Sequence, residues 1–162
     1  MLTYIQATQS DIPLLRALAH EIWTTSYTQM LSAEQIEYML NWMYSEEAIR
    51  KEMKEGVQWE LIRMGDETIG YIAVTPEEEK LKLNKLYLLR TIQGKGLGQQ
   101  ALAHVIDYAR QSGYKSLYLT VNQRNYNAIK AYEKAGFVRT EFKIFDIGGG
   151  FVMDDFIYSM EL

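Results

Sequence analysis

Six residues, Gln93-Gly94-Lys95-Gly96-Leu97-Gly98, constrain this chain more than any other stretch. They stand between an apolar run, Leu81 to Leu88, and a segment whose apolar residues Ala101, Leu102, Val105, Ile106 and Ala109 recur at helical spacing until Gly113. The order predicts a strand, a glycine turn and an amphipathic helix. Three glycines let the backbone turn tightly and come close to a ligand. The helix that follows points its free N–H groups and positive dipole end back into the turn. Together these predict a site for an anion, with pyrophosphate the usual guest.

The spacing narrows the ligand. A Walker loop needs Ser or Thr after Gly-Lys, and here Gly96 follows Lys95. A dinucleotide fingerprint needs its third glycine three positions after the second, and Gly98 comes two after Gly96. The pattern is Gln-x-x-Gly-x-Gly. A second pattern follows the strand-like run Ser116 to Val121. It reads Asn125-x-x-Ala128-x-x-x-Tyr132-x-x-x-Gly136-Phe137. Asn125 suits a helix N-cap, and Gly136 suits the left-handed residue that ends a helix. Tyr132 lies two helical turns, or roughly 10 Å, beyond Asn125.

Both patterns, in this order and separated by a helix and a strand, resemble the GNAT acetyltransferase superfamily. The resemblance covers the chain well from about Leu81 onward and more loosely before it. It implies the GNAT fold: a mixed, mostly antiparallel sheet that splays between the glycine-loop strand and the next one. Coenzyme A would enter that gap. It implies acetyl-CoA as co-substrate, bound by Leu86, Leu88, Gln93, Gly94, Lys95, Gly96, Leu97, Gly98, Asn125 and Tyr132. It also implies that Tyr132 protonates the leaving thiolate as general acid. The backbone N–H of Leu88 would hold the oxyanion.

At 162 residues the chain is read as one domain, 1–162, long enough for a real core. It has no cysteine, so an acyl transfer here cannot pass through a cysteinyl thioester. A net charge of −4 argues against nucleic acid as a partner and is compatible with a cationic substrate. His20 and His104 have no ligand-spaced partners, so no metal site is expected. Met1 to Gln6 lacks a basic region followed by an apolar core, and no run approaches a membrane span. No signal peptide and no membrane association are expected, with a cytoplasmic location the default.

The element order reads as follows. Leu2 to Ala7 is a strand, and Ser10 caps a helix running towards Trp23. Ser32-Ala33-Glu34-Gln35 forms a capping box for a helix towards Tyr44. Ser45 caps a third helix that ends near Gly56. Val57 to Met64 and Glu67 to Thr75 form a hairpin about Gly65-Asp66. Glu77-Glu78-Glu79-Lys80 is a solvated turn. The last two strands, Phe137 to Ile147 and Phe151 to Met160, are joined by Gly148-Gly149-Gly150. Interleaved strands and helices with hairpins at both ends imply an α/β (α+β) chain, a mixed sheet with helices on both faces.

The acceptor is less defined. Trp23 to Tyr44 is rich in Trp, Tyr and Met, and this layout with the ending Asp154-Asp155 resembles the bacterial spermidine/spermine acetyltransferase branch. Most of these residues are expected in helical packing or at a homodimer surface. The candidate substrate contacts are Glu21, Trp23, Tyr27, Asn84 and Asp155. A primary alkylamine is almost wholly protonated at neutral pH, so it needs a proton acceptor. Many relatives carry a glutamate on the strand before the loop; Leu81 to Tyr87 has no carboxylate. The open candidates are a water held by Asn84, Tyr87, Glu21, or one of Asp154 and Asp155. A small cationic amine such as a polyamine is the first acceptor expected. A peptide or protein N-terminus, an amino sugar or drug amine, and a non-catalytic coenzyme-A sensor are the alternatives.

Overall fold

A computed structural model describes residues 1–162. The chain runs β1 (Leu2–Gln6), α1 (Ile12–Ser26), α2 (Ala33–Tyr44), α3 (Glu46–Lys54), β2 (Gln58–Met64), β3 (Glu67–Glu77) and β4 (Lys80–Leu88). It continues α4 (Leu97–Gln111), β5 (Ser116–Asn122), α5 (Tyr126–Ala135), β6 (Val138–Gly148) and β7 (Phe151–Glu161). The seven strands form one sheet in the order β1-β2-β3-β4-β5-β7-β6. Every pairing is antiparallel except that of β4 with β5.

Period-2 alternation along the strands gives the sheet two apolar faces, and each is covered by helices. On one face Ile62, Ile72, Leu81, Leu83 and Leu117 pack against the α4 stripe of Ala101, Leu102, Val105 and Ala109. On the other, Trp59, Leu61, Tyr71 and Ala73 pack against Ile12, Leu15, Ile22, Ile36 and Ile49 from α1 to α3. The expected two-sided architecture is thus present, with the helical stripe of α4 on the residues read from the sequence.

Two helix starts differ from the sequence reading. Ser10 does not cap α1. The chain makes a short 3₁₀ turn over Gln9–Asp11 first, in which the Thr8 N–H donates to Asp11 Oδ2 at 2.8 Å. Ser10 Oγ meets only Thr8 Oγ1. At α2, Ser32 Oγ accepts from the Gln35 N–H at 3.1 Å, but Gln35 does not reach back to complete a box. Its Nε2 donates instead to the Val152 carbonyl of β7 at 3.0 Å, a tertiary contact that competes with the local one. The Ser45 cap forms, with Oγ accepting from the Ala48 N–H at 3.1 Å.

Candidate active site

β4 and β5 pair only over Lys80–Lys82 and Ser116–Tyr118. Beyond that point the two parallel strands separate. This is the splay that the resemblance implied. On its β3 side β4 stays paired through Leu88 but slips by one residue: Val74 faces Leu83 while Ala73 faces Lys85, leaving Asn84 unopposed. This bulge turns Lys85 and Tyr87 to the α1–α3 face and leaves Leu86 and Leu88 on the α4 face.

The bulge also settles the backbone. The Leu89 N–H donates to the Ile69 carbonyl at 2.8 Å, so alternate residues of this stretch bond into β3. Leu86 and Leu88 therefore direct their N–H and C=O groups into the gap. One of these groups is already used: Gln93 Nε2 donates to the Leu88 carbonyl at 3.1 Å. The rest are free for an extended ligand. Leu88 itself is buried, with only its backbone available.

At the mouth of the gap, Gly94 and Gly96 adopt φ of 87° and 75°, and Gly96 is the N-cap of α4. The first helical bond runs from Gln100 to Gly96, which leaves the N–H groups of Leu97, Gly98 and Gln99 without a helical acceptor. The space around Gly94 and Gly96 is open. A methyl on Gly98 would meet no protein atom closer than Leu88 Cδ1 at 3.9 Å, so its bareness serves no packing within the chain. Free donors, a helix dipole and empty space fit a pyrophosphate. Lys95 is exposed beside them and Leu97 anchors the helix start in the core. On the opposite lip, Asn125 caps α5 by accepting from the Ala128 N–H at 3.4 Å, and its Nδ2 reaches Tyr27 Oη at 3.5 Å.

The gap opens into a cavity of about 410 Å³. It brings together Trp23, Tyr27, Asn84, Leu86, Asn125, Tyr132 and Asp155, which lie far apart in sequence. Tyr132 is half-buried, with its ring edge-on to Phe137 at 5.8 Å. Burial pushes its phenol up to about 12. It is therefore a protonated donor throughout the neutral range. Trp23 is buried and stacks on Tyr27 at 4.6 Å while its Nε1 donates to Tyr44 Oη at 3.3 Å. Tyr87 closes this aromatic wall, and burial raises its phenol well above the ordinary tyrosine value, which unsuits it to take a proton.

The carboxylates separate cleanly. Glu21 is exposed on α1 and does not line the cavity, because the buried stripe of that helix passes through Ile22 and Trp23 instead. Contrary to the substrate contact expected of it, Glu21 points away from the cavity. Asp154 faces away from Asp155, as strand alternation requires, and accepts from Gln123 Nε2 at 3.5 Å. Asp155 is 7% exposed and lines the cavity. Its Oδ1 is buried without any hydrogen-bond partner. Burial, then the neighbouring Asp154 charge, push its carboxyl up to about 6, against a lowering contribution from the Thr120 hydroxyl. Asn84 Oδ1 is a second unpartnered acceptor, its Nδ2 being held by Thr75 Oγ1 at 2.7 Å.

Two features of the site gave no sequence signal. Lys85 is buried on β4, 3.7 Å from Glu52 Oε2 and 4.9 Å above the Trp59 ring. Burial lowers its pKa against the raising effect of Glu52. The tip of the β6–β7 hairpin docks on α2: Tyr38 Oη donates to the Ile147 carbonyl at 2.6 Å and its ring lies 5.3 Å from Phe151. Side chains at Gly148 and Gly149 would collide with Tyr38. This contact brings Phe145, Asp146, Ile147 and Met153 to the cavity. Proximity of the triglycine turn to Tyr38 was not readable from either segment.

The pattern of the family described as Acetyltransferase (GNAT) matches residues 16–137. The chain belongs to the GNAT acetyltransferase family. It is 22% identical over 153 residues to an uncharacterized N-acetyltransferase of Lactobacillus delbrueckii subsp. lactis, covering 89% of this chain and 88% of that one. It is 27% identical over 150 residues to the spermidine N(1)-acetyltransferase of Thermoplasma acidophilum, covering 89% and 90%. The crystal structure of the PaiA N-acetyltransferase of the same organism, in complex with coenzyme A, superposes with a TM-score of 0.81 at 23% identity, over 100% of this chain and 99% of that one. As a GNAT enzyme the chain is an N-acetyltransferase that uses acetyl-CoA. No helix is long and apolar enough to cross a membrane.

Proposed function

We propose that the enzyme transfers the acetyl group directly to a primary amine on a small cationic acceptor, a polyamine being the leading class. The observation that carries this reading is Asp155, a buried carboxylate with an unpartnered oxygen facing an aromatic-walled cavity. An unpaired buried carboxylate is costly, and a donor-only ammonium is its natural partner. Asn84 Oδ1 adds a second acceptor. Trp23, Tyr27 and Tyr87 line the cavity, and an aromatic ring face attracts a cation by about 0.5–2 kcal/mol. The likeness to a spermidine acetyltransferase agrees in substrate class.

In this reading the N–H groups at the start of α4 hold the pyrophosphate. Leu86 and Leu88 pair with the pantetheine arm as a neighbouring strand would, and the Leu88 N–H faces the thioester carbonyl oxygen. Tyr132 gives its proton to the departing sulfur. Asn125 fixes the start of α5, and with it the position of Tyr132. Asp155 and Asn84 hold the amine.

The test is a steady-state comparison of spermidine, spermine, short peptides with free N-termini, and aminoglycosides. Polyamine kcat/KM leads the panel if the reading holds. Peptides leading by tenfold or more would make the cavity a peptide groove. Acetyl-CoA binding without turnover on any amine would make the chain a coenzyme-A sensor.

A further inference from the structure

We propose that Asp155 on β7 is also the general base of the reaction, replacing the carboxylate that β4 lacks. The inference rests on the acetyl-transfer reading above but not on the acceptor being a polyamine. Four observations converge. β4 carries Lys82, Asn84, Lys85 and Tyr87 where it borders the cavity, and none of these can take a proton from an ammonium as a carboxylate can. Lys85 is engaged with Glu52, and the Tyr87 phenol is locked in its protonated form by burial. Among the other carboxylates, Glu21 is exposed, Asp154 faces the other side of β7, and Asp146, exposed at the hairpin tip, accepts from the Gly148 N–H at 2.9 Å. Asp155 alone combines burial, an oxygen without a partner and a place in the same cavity as Tyr132.

The surroundings favour proton transfer over a permanent ion pair. The groups around Asp155 are Asp154 beside it, Thr120 and Asn122 on β5, Lys143 opposite it on β6, and Lys82, Lys85, Tyr87, Tyr132 and Asp146 on the cavity wall. Lys143 is half-exposed and turns to Glu141 at 3.7 Å, so no cation neutralises the Asp155 carboxylate. A substrate ammonium would supply the ion-pair partner that Asp155 lacks. Burial and Asp154 raise the affinity of this carboxylate for a proton, which narrows its gap to the amine.

The proton count closes. The ammonium gives one proton to Asp155 Oδ1. The freed nitrogen lone pair forms the C–N bond at the carbonyl carbon as the C–S bond breaks, its electron pair leaving on sulfur. Sulfur takes the Tyr132 proton, and the second proton lost from nitrogen restores Tyr132. Asp155 then releases its proton to water, so one proton leaves per turnover.

The experiment compares wild type, Asp155→Asn and Asp155→Glu on two acceptors across pH 6 to 10, reading kcat and KM separately. One acceptor is the best alkylamine of the panel. The other is phenylhydrazine, which is largely uncharged at neutral pH and needs no base to free its lone pair. For Asp155→Asn, kcat on the alkylamine should fall roughly 10²-fold or more at pH 7. It should recover as pH rises and the amine deprotonates in solution, while kcat on phenylhydrazine changes by less than about threefold, within the reach of packing effects alone. Asp155→Glu should restore part of the loss. An equal loss on both acceptors without recovery at high pH would make Asp155 a packing residue. A change confined to KM would make it a binding residue only. Either result overturns the proposal. If wild type acetylates no amine at all, the transfer reading itself fails. Normal wild-type turnover beside an unimpaired Asp155→Asn sinks the base alone.

Discussion

The gap between β4 and β5 presents backbone groups. The N–H groups of Leu97, Gly98 and Gln99 and the free edge of β4 at Leu86 and Leu88 are all main-chain donors or acceptors. The chamber beyond it presents side chains on α1, α2, β4, β5, α5, β6 and β7. The first can be specified by a short run of glycines with defined spacing, because it needs bareness and helix polarity. The second needs particular side chains at the right distance, and no single segment specifies that. The contrast predicts that perturbing the gap acts on acetyl-CoA, that perturbing the chamber acts on the amine, and that Tyr132, at their junction, affects chemistry more than either binding step.

The sharpest break should come at that junction. Tyr132→Phe is expected to lower kcat by roughly 10²–10⁴, the range for a lost general acid, with acetyl-CoA affinity changed far less. Rapid-quench or steady-state turnover beside calorimetric titration checks this. An intact kcat, where chemistry limits the rate, would return Tyr132 to packing against Phe137.

Within the gap, Gly96→Val places a β-branched residue at φ 75° beside the open anion site. We expect acetyl-CoA to bind about 10- to 100-fold more weakly, with about 1–2 kcal/mol of stability lost to the left-handed backbone. Amine KM at saturating acetyl-CoA should stay near wild type. Unchanged acetyl-CoA affinity in the folded variant would remove the loop from the binding site.

The chamber carries an expected pH signature. The Asp155 carboxyl stands at about 6 in the folded chain, above its ordinary 3.8. The folded state therefore binds more protons than the unfolded state between those values, and its stability falls as pH rises through this window. The loss is on the order of 2–3 kcal/mol. Asp155→Asn should flatten the dependence and leave the variant as stable as wild type, or more so, near pH 7. Denaturant titrations at pH 4.5 and 7 measure it. Stability rising across this window for wild type relative to Asp155→Asn would contradict a desolvated carboxyl.

A smaller effect is expected from the roof. Gly149→Ala puts a methyl 2.9 Å from the Tyr38 ring at φ 63°. The β6–β7 tip should lift from α2, raising amine KM by about three- to tenfold and leaving acetyl-CoA affinity unaltered. If acetyl-CoA affinity falls with it, the two halves are coupled and the contrast drawn above is too simple.

Much of the fold was legible because local rules and global packing agree. The α4 stripe, the Ser45 and Asn125 caps, the hairpin at Gly65 and the strand order along the chain all follow from period, capping and turn chemistry acting within a few residues. Where long-range contacts compete, the structure departs from the local rules. Gln35 forsakes its capping box for the Val152 carbonyl, and the Thr8–Asp11 turn displaces Ser10. Glu21 had the composition of a base but sits one position before the buried stripe at Ile22 and Trp23.

The sequence by itself determined the glycine loop at the start of α4, the αL glycines, the position of Tyr132 on its helix and the absence of a β4 carboxylate. These are properties of neighbours, fixed by short-range sterics and helix polarity. Only the tertiary structure decided which of two adjacent aspartates faces the cavity, that β4 slips at Asn84, and that Tyr38 brings the triglycine tip over the cavity. Each depends on which face of a strand is covered and on what lies across from it. Burial, and the pKa it shifts, is a property of the surroundings, so identical Asp side chains one residue apart acquire different chemistry.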